Sequence, residues 1–197
     1  FAPERVIEDI KRQLGRPAIE VVNGSMYRRN LRYGVTQLSS ESEKHAALEK
    51  ILMRVRGSRI VYTATIQAAE SLYERLLRVG HPALLYQGRL GARRRLENQQ
   101  RFMSEKDAVM VATNAFGLGI DKPDVRAVVH FQMPASLESY YQESGRAGRD
   151  GKRAWCQLLF DHGDRRIQSF FLAGRYPSAE DIASVWRALR DAMPSRP

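Results

Sequence analysis

Short apolar runs alternate along the chain with segments whose apolar residues recur at helical spacing. Runs of strand length occupy residues 60–63, 83–86, 109–113 and 127–131, and a further run surrounds Cys156. Their apolar residues are near-continuous rather than alternating, which is typical of strands buried on both faces. Strands that alternate with helical segments in this way predict an α/β domain, with a mainly parallel sheet flanked by helices.

Three helices are predicted between and after these strands. They cover residues 69–79, residues 93–102 and a segment that begins at about Ser136. Ligands of parallel sheets bind at the carboxyl ends of the strands, so we expect the functional edge of the domain there. The residues predicted to lie at that edge are Thr63, Tyr86, Thr113 and Phe131.

The two ends of the chain follow a different pattern. Residues 6–14 form an apolar helix face that Gly15 closes, and residues 19–22 resemble a strand followed by a turn at 23–25. A last helix is predicted to begin at residues 177–178. We therefore expect three parts, namely an opening segment and linker (1–24), the α/β domain (25–175) and a C-terminal helix with the start of a following module (176–197).

The composition adds a basic balance of charge. The chain has 32 Lys and Arg against 22 Asp and Glu, and its formal net charge of +10 favours a polyanionic partner such as nucleic acid. The charge alone does not distinguish this interpretation from a basic surface that serves only solubility. No run of about 18 apolar residues occurs, so no membrane partner is expected. One cysteine and four separated histidines match no metal spacing, and the composition is typical of a cytosolic protein.

Residues 142–151 carry the strongest chemical signal. If the helix before them persists, Gln142, Arg146 and Arg149 lie at i, i+4 and i+7 on one face. Two guanidiniums on one face require an anion, and a triphosphate has a suitable geometry. The same residues fit a helix end whose arginines offset the helix dipole and whose glycines cap it. The spacing alone leaves both interpretations open.

Residues 112–124 are a second candidate, in which a buried strand opens into a glycine-bearing loop. Thr113 and the exposed backbone N–H groups could hold a phosphate, and Asp121 could accept a hydrogen bond from a ribose hydroxyl. From the residues alone an ordinary strand-to-helix loop is the stronger interpretation, because the third glycine of a dinucleotide fingerprint is absent.

Taken together and in this order, residues 112–130 and 140–151 closely resemble motifs V and VI of the superfamily 2 helicases. Their wording, Ala-Thr-Asn-Ala-Phe-Gly-Leu-Gly-Ile-Asp-Lys-Pro-Asp and Tyr-Tyr-Gln-Glu-Ser-Gly-Arg-Ala-Gly-Arg-Asp-Gly, resembles the RecQ family in particular. DEAD-box RNA helicases usually have His-Arg-x-Gly-Arg at residues 142–146. Residues 27–33 are similar to the family's junction between two motor domains, and residues 60–65 lie where motif IV belongs.

The resemblance implies a RecA-like, P-loop NTPase-like domain of three layers that closes over ATP and Mg²⁺ bound to a preceding RecA-like domain. It implies 3′-to-5′ unwinding of DNA, with single strands and duplex junctions as partners. Arg146 and Arg149 are carried over as catalytic γ-phosphate contacts, with Arg149 as the arginine finger. The implied nucleotide contacts are Gln142, Gly119 and Asp121, and the implied DNA contacts are Thr113, Asn114, Thr65, Arg89 and Arg93.

Two helicase elements are missing from the sequence. It contains no Gly-x-x-x-x-Gly-Lys-[Ser/Thr] loop to hold phosphates and no Asp-Glu-x-His segment to hold magnesium. In the family both belong to the first motor domain, whose last helix and strand residues 1–22 resemble. We therefore expect no ATP hydrolysis by this chain alone. A catalytically silent RecA-like module that binds nucleic acid or a protein partner is the alternative.

Overall fold

Six strands form one parallel sheet. The structure is a computed structural model that describes residues 4–21, 27–117, 120–175 and 179–192. The sheet order is β1-β6-β5-β2-β4-β3, and every pair of neighbours is parallel. The strands are β1 (Leu31–Gln37), β2 (Ser58–Tyr62), β3 (Ala83–Tyr86), β4 (Val109–Ala112), β5 (Val125–His130) and β6 (Ala154–Phe160). The predicted parallel α/β architecture is confirmed.

Helices lie on both faces of the sheet. The helices of the described residues are α1 (Glu4–Gln13), α2 (Glu41–Arg54), α3 (Ile66–Arg78), α4 (Ala92–Ser104), α5 (Leu137–Ser144), α6 (Asp164–Arg175) and α7 (Ala179–Ala192). One buried cluster joins the sheet to α4 through Phe102, and the cluster on the opposite face joins it to α2 and α3 through Leu48 and Leu72. The central strands β2 and β4 are buried along their whole length because both faces are covered.

One prediction about the opening part of the chain needs correction. Residues 19–21, predicted as a strand, have no strand structure, and Ile19 and Val21 are exposed. A strand requires a neighbour for its backbone groups, and the described sheet offers these residues none. The predicted turn at 23–25, the helix start at 177–178 and Gly119 lie outside the described residues.

The sequence interpretation passed over β1 and α2. The sheet order makes β1 an edge strand, and it is mostly exposed, so it lacks the near-continuous apolar pattern of the inner strands. Helix α2 does carry a start signal in the sequence, the Ser-x-x-Glu pattern at residues 40–43. Ser40 Oγ accepts from Glu43 N at 3.2 Å, and Glu43 Oε2 accepts from Ser39 N at 2.8 Å.

Candidate functional site

The carboxyl ends of four neighbouring strands meet at one edge of the sheet. The backbone N–H of Thr63 donates to Ala112 O at 2.9 Å, and that of Thr113 donates to Tyr86 O at 3.2 Å. Phe131 N donates to Tyr62 O at 2.9 Å. Each hydrogen bond extends the ladder one residue beyond a strand end. The four residues predicted at the functional edge therefore lie side by side.

The loop after β4 is anchored from below by an aromatic side chain. Phe116 is fully buried, with its ring centroid 4.9 Å from that of Tyr86 and 5.7 Å from that of Phe102. Its carbonyl accepts from the Tyr62 hydroxyl at 3.0 Å. Burial raises the pKa of Tyr62 well above its usual range, so this phenol stays a donor. The loop is thereby fixed to the sheet directly before Gly117.

Helix α5 begins at a side-chain cap and ends earlier than the motif spacing predicts. Ser136 Oγ accepts from Ser139 N at 3.0 Å, which satisfies a first-turn donor. The helix stops at Ser144, and the next residues continue as tight turns in which Gly148 adopts φ +53°. The condition under which Gln142, Arg146 and Arg149 would share one helical face is therefore not met, because the helix does not persist through the glycines.

The two arginines nevertheless reach the same loop. Arg146 Nη1 donates to Gly117 O at 2.5 Å. Arg149 Nη1 donates to Ile120 O at 3.0 Å and to Asp121 Oδ1 at 2.7 Å. Tight turns, rather than a helical face, bring both guanidiniums to the loop after β4. Gln142 instead donates to Glu138 Oε1 at 3.2 Å within its own helix.

The space that the glycines of residues 145–148 leave is partly filled by the segment before β1. Arg28 donates to Gly145 O at 2.8 Å and also to Gly148 O. Asn30 Nδ2 donates to Gly148 O at 2.7 Å, and it would lie 2.7 Å from a Cβ placed on Gly148. The sequence interpretation noticed residues 27–33 only as a junction and assigned no contact to Arg28 or Asn30.

The predicted nucleic-acid contacts surround the same edge. Thr65 caps α3, its Oγ1 accepting from Ala68 N at 3.1 Å. Thr113 is buried, whereas Asn114 is exposed in the loop after β4. The loops that follow β2, β4 and β3 carry these residues and Arg89. The three loops lie next to one another because the three strands are adjacent in the sheet.

Arg89 and Arg93 both face solvent but are held differently. Arg89 lies in a turn built on the buried Gln87, whose Oε1 accepts from Arg89 N and from Leu90 N. Arg93 is 92% exposed in the first turn of α4 and pairs with Glu97 at 2.8 Å. Arg89 is therefore placed by the backbone of a defined turn, and Arg93 by a surface ion pair that is weak.

The lone thiol belongs to the core. Cys156 is fully buried on β6, and burial raises its pKa to about 11. Among the described residues no group of three or more Cys, His, Asp and Glu side chains is arranged to hold a metal ion. None of the described helices is long and apolar enough to cross a membrane.

Comparison with known proteins finds a matching family model and similar protein sequences. The model of the helicase conserved C-terminal domain family matches residues 43–151. An ATP-dependent DNA helicase RecQ of Bacillus subtilis (strain 168) is 42% identical over 171 residues, which are 87% of this chain and 29% of that protein. A putative ATP-dependent DNA helicase Q1 of Caenorhabditis briggsae is 36% identical over 201 residues, 99% of this chain and 32% of that protein.

The chain thus spans less than a third of the length of either relative. Among solved structures, the chain resembles domain 2 of the DEAD-box helicase Mss116p bound to an RNA duplex, with a TM-score of 0.60 at 20% identity. That match covers 81% of this chain and 69% of the other. At such low identity the likeness shows the fold alone. It confirms the RecA-like three-layer fold.

Proposed function

The chain belongs to the family of helicase conserved C-terminal domains, among the RecQ helicases, and we propose that it is the second motor domain of an ATP-dependent 3′-to-5′ DNA helicase. The observation that carries the proposal is the meeting of Arg146 and Arg149 with the loop after β4. Both arginines lie beside the carboxyl edge of a parallel sheet, where such folds bind nucleotides.

The residues at this edge fit a polyphosphate. Arg149 uses Nη1 for Ile120 O and Asp121, while its Nε and Nη2 form no hydrogen bond to any other residue that the structure describes. Its side chain is 36% exposed. A guanidinium that is fixed on one side and open on the other can bind phosphate oxygens with little loss of entropy.

Each arginine has its own task in this proposal. ATP with Mg²⁺, held mainly by the preceding RecA-like domain, supplies the γ-phosphoryl group that is transferred to water. Arg149 stabilises the charge that develops on that group, as an arginine finger does. Arg146 contacts the same phosphate from the buried side while it holds the loop after β4. Gln142, Gly119 and Asp121 contact the nucleotide and couple it to the interface between the domains.

The loops after β2, β3 and β4 bind the DNA backbone in this proposal. Thr65, Thr113 and Asn114 offer hydroxyl and amide donors, and Arg89 and Arg93 offer positive charge. The formal net charge of +10 supports a polyanionic partner. Single strands and duplex junctions of DNA are the proposed substrates, because the curated relatives are named DNA helicases.

The decisive experiment measures DNA-stimulated ATP turnover by the full-length parent protein and its Arg149→Ala variant. We expect turnover to fall on the order of 10³-fold while nucleotide binding is largely retained, because one transition-state contact is lost. Arg153→Ala is the matched control, since Arg153 is an exposed arginine four residues further along. Unchanged turnover in Arg149→Ala would leave Arg149 with only the structural role of holding the loop after β4 through Ile120 and Asp121, and would favour the silent binding module.

A further inference from the structure

A buried hydrogen bond joins the sheet to the segment that carries the arginines. His130 is the last residue of β5 and is 1% exposed, and Glu143 lies in the last turn of α5. The distance between His130 Nε2 and Glu143 Oε2 is 2.7 Å. Both side chains are polar and buried, so the pair is costly unless its geometry is kept.

The imidazole of His130 is held between two aromatic rings. Its centroid lies 5.5 Å from that of Tyr62, with the two rings stacked at 22°, and 4.8 Å from that of Tyr140. Nδ1 of His130 is buried and has no hydrogen-bond partner among the described residues. A buried N–H without an acceptor is costly, so the proton belongs on Nε2, which donates to Glu143. The His130 imidazole is therefore held in one orientation, with its N–H directed at Glu143.

The pair controls the backbone from which Arg146 extends. Glu143 O accepts from Arg146 N at 3.2 Å, and Ser144 O accepts from Ala147 N at 3.0 Å. The turn that presents the arginine therefore starts from the residue that His130 holds. A rotation of the last turn of α5 would move the Arg146 backbone with it.

The other end of Arg146 depends on the same imidazole. Tyr62, which stacks on His130, donates to Phe116 O at 3.0 Å. The next residue, Gly117, provides the carbonyl that binds Arg146 Nη1 at 2.5 Å. The contacts thus close a ring that runs from His130 through Glu143, Arg146, the 116–117 backbone and Tyr62 back to His130.

We propose that His130 and Glu143 are positioning residues for ATP turnover, which fix Arg146 at both its backbone and its guanidinium. The proposal rests on the proposed function of this site. Both side chains are buried away from the open edge of the sheet, so their loss should lower kcat without changing the KM for ATP. A displacement of about 1 Å at a reacting group can cost about 10²-fold in rate, so we expect a loss of roughly 10- to 100-fold.

The test uses two conservative variants of Glu143 in the full-length parent protein. Glu143→Asp keeps the charge but shortens the side chain, so the contact with His130 is lost. Glu143→Gln keeps the length and still accepts the hydrogen bond through Oε1. We expect kcat to fall roughly 10- to 100-fold in Glu143→Asp and to stay within about threefold of wild type in Glu143→Gln, with the KM for ATP unchanged in both. The reverse order would mean that charge matters rather than reach, and would overturn the proposal.

A double-mutant cycle separates positioning from general stability. If Glu143 acts through Arg146, adding Glu143→Asp to Arg146→Ala should reduce kcat no further, within about twofold. Losses that multiply would show an independent structural effect and would overturn the inference. If Arg146→Ala slows turnover while Glu143→Asp does not, this inference alone fails. If neither Arg146→Ala nor Arg149→Ala slows turnover, the proposed function fails.

Discussion

Gly117 lies directly against the guanidinium of Arg146, and the contact is possible only because Gly117 has no side chain. A Cβ placed on Gly117 would overlap Arg146 Nη2 and stand 2.5 Å from Cζ. The Nε of Arg146 is buried without a hydrogen-bond partner among the described residues, whereas Nη1 donates to Gly117 O. At the residue scale, the position of Arg146 is decided by the residue that it faces.

Gly117→Ala should therefore displace Arg146 without unfolding the domain. We expect DNA-stimulated ATP turnover of the parent protein to fall by about 10-fold or more, because a displaced reacting group loses rate steeply. Gly88→Ala is the matched control, since Gly88 also follows a strand and a Cβ placed on it would meet no atom within 4 Å. Equal activity of the two variants would contradict the importance of this contact.

At the element scale, a buried ion pair connects helices that lie far apart in the sequence. Lys44 on α2 contacts Asp164 on α6 at 2.7 Å and also donates to Phe131 O, just after β5, at 3.1 Å. Asp164 Oδ2 accepts from Met133 N at 3.1 Å. Both charged side chains are almost completely buried. The pair therefore fixes α2 and α6 to the edge of the sheet that carries the candidate site.

Replacing Lys44 by methionine should destabilise the domain strongly. The variant keeps the length of the side chain but leaves the Asp164 carboxylate buried without its cation, and breaking such a pair costs about 3–5 kcal/mol. Chemical denaturation of Lys44→Met and of Lys50→Met, an exposed lysine on the same helix, measures the difference. A free energy of unfolding for Lys44→Met equal to that of the Lys50 control would show that the pair contributes little.

At the scale of the whole molecule, the proposed function gives this domain one side of a nucleotide site. Its arginines lie at the edge of the sheet, while the phosphate loop and the acidic magnesium motif are absent from the sequence. An arginine finger stabilises a transition state but neither binds the metal nor positions the attacking water. In the proposed function those tasks belong to the preceding domain.

The chain of 197 residues by itself should accordingly show negligible ATP turnover. We expect phosphate release no faster than the background without enzyme, in the presence and absence of single-stranded DNA. The full-length parent protein, assayed under the same conditions, is the positive control. Robust DNA-stimulated turnover by the chain alone would contradict the assignment of ATP and Mg²⁺ to a preceding domain.

The inner part of the fold could be predicted because burial leaves a clear pattern. Strands β2, β3, β4 and β5 were found within one or two residues, since their near-continuous apolar runs reflect helices on both faces. The edge strand β1 was missed because it is mostly exposed and therefore lacks that pattern. The reverse error occurred at residues 19–21, whose apolar character predicted a strand that has no neighbour.

The sequence by itself determined the α/β class, the two helicase-like motifs and the residue types of the candidate site. Only the tertiary structure decided how those residues meet. It ended α5 at Ser144 and used tight turns to bring Arg146 and Arg149 to the loop after β4. It also placed His130 against Glu143, 13 residues away. The reason is physical, because periodicity records which side chains are buried, whereas hydrogen bonds between distant segments depend on packing that no local pattern encodes.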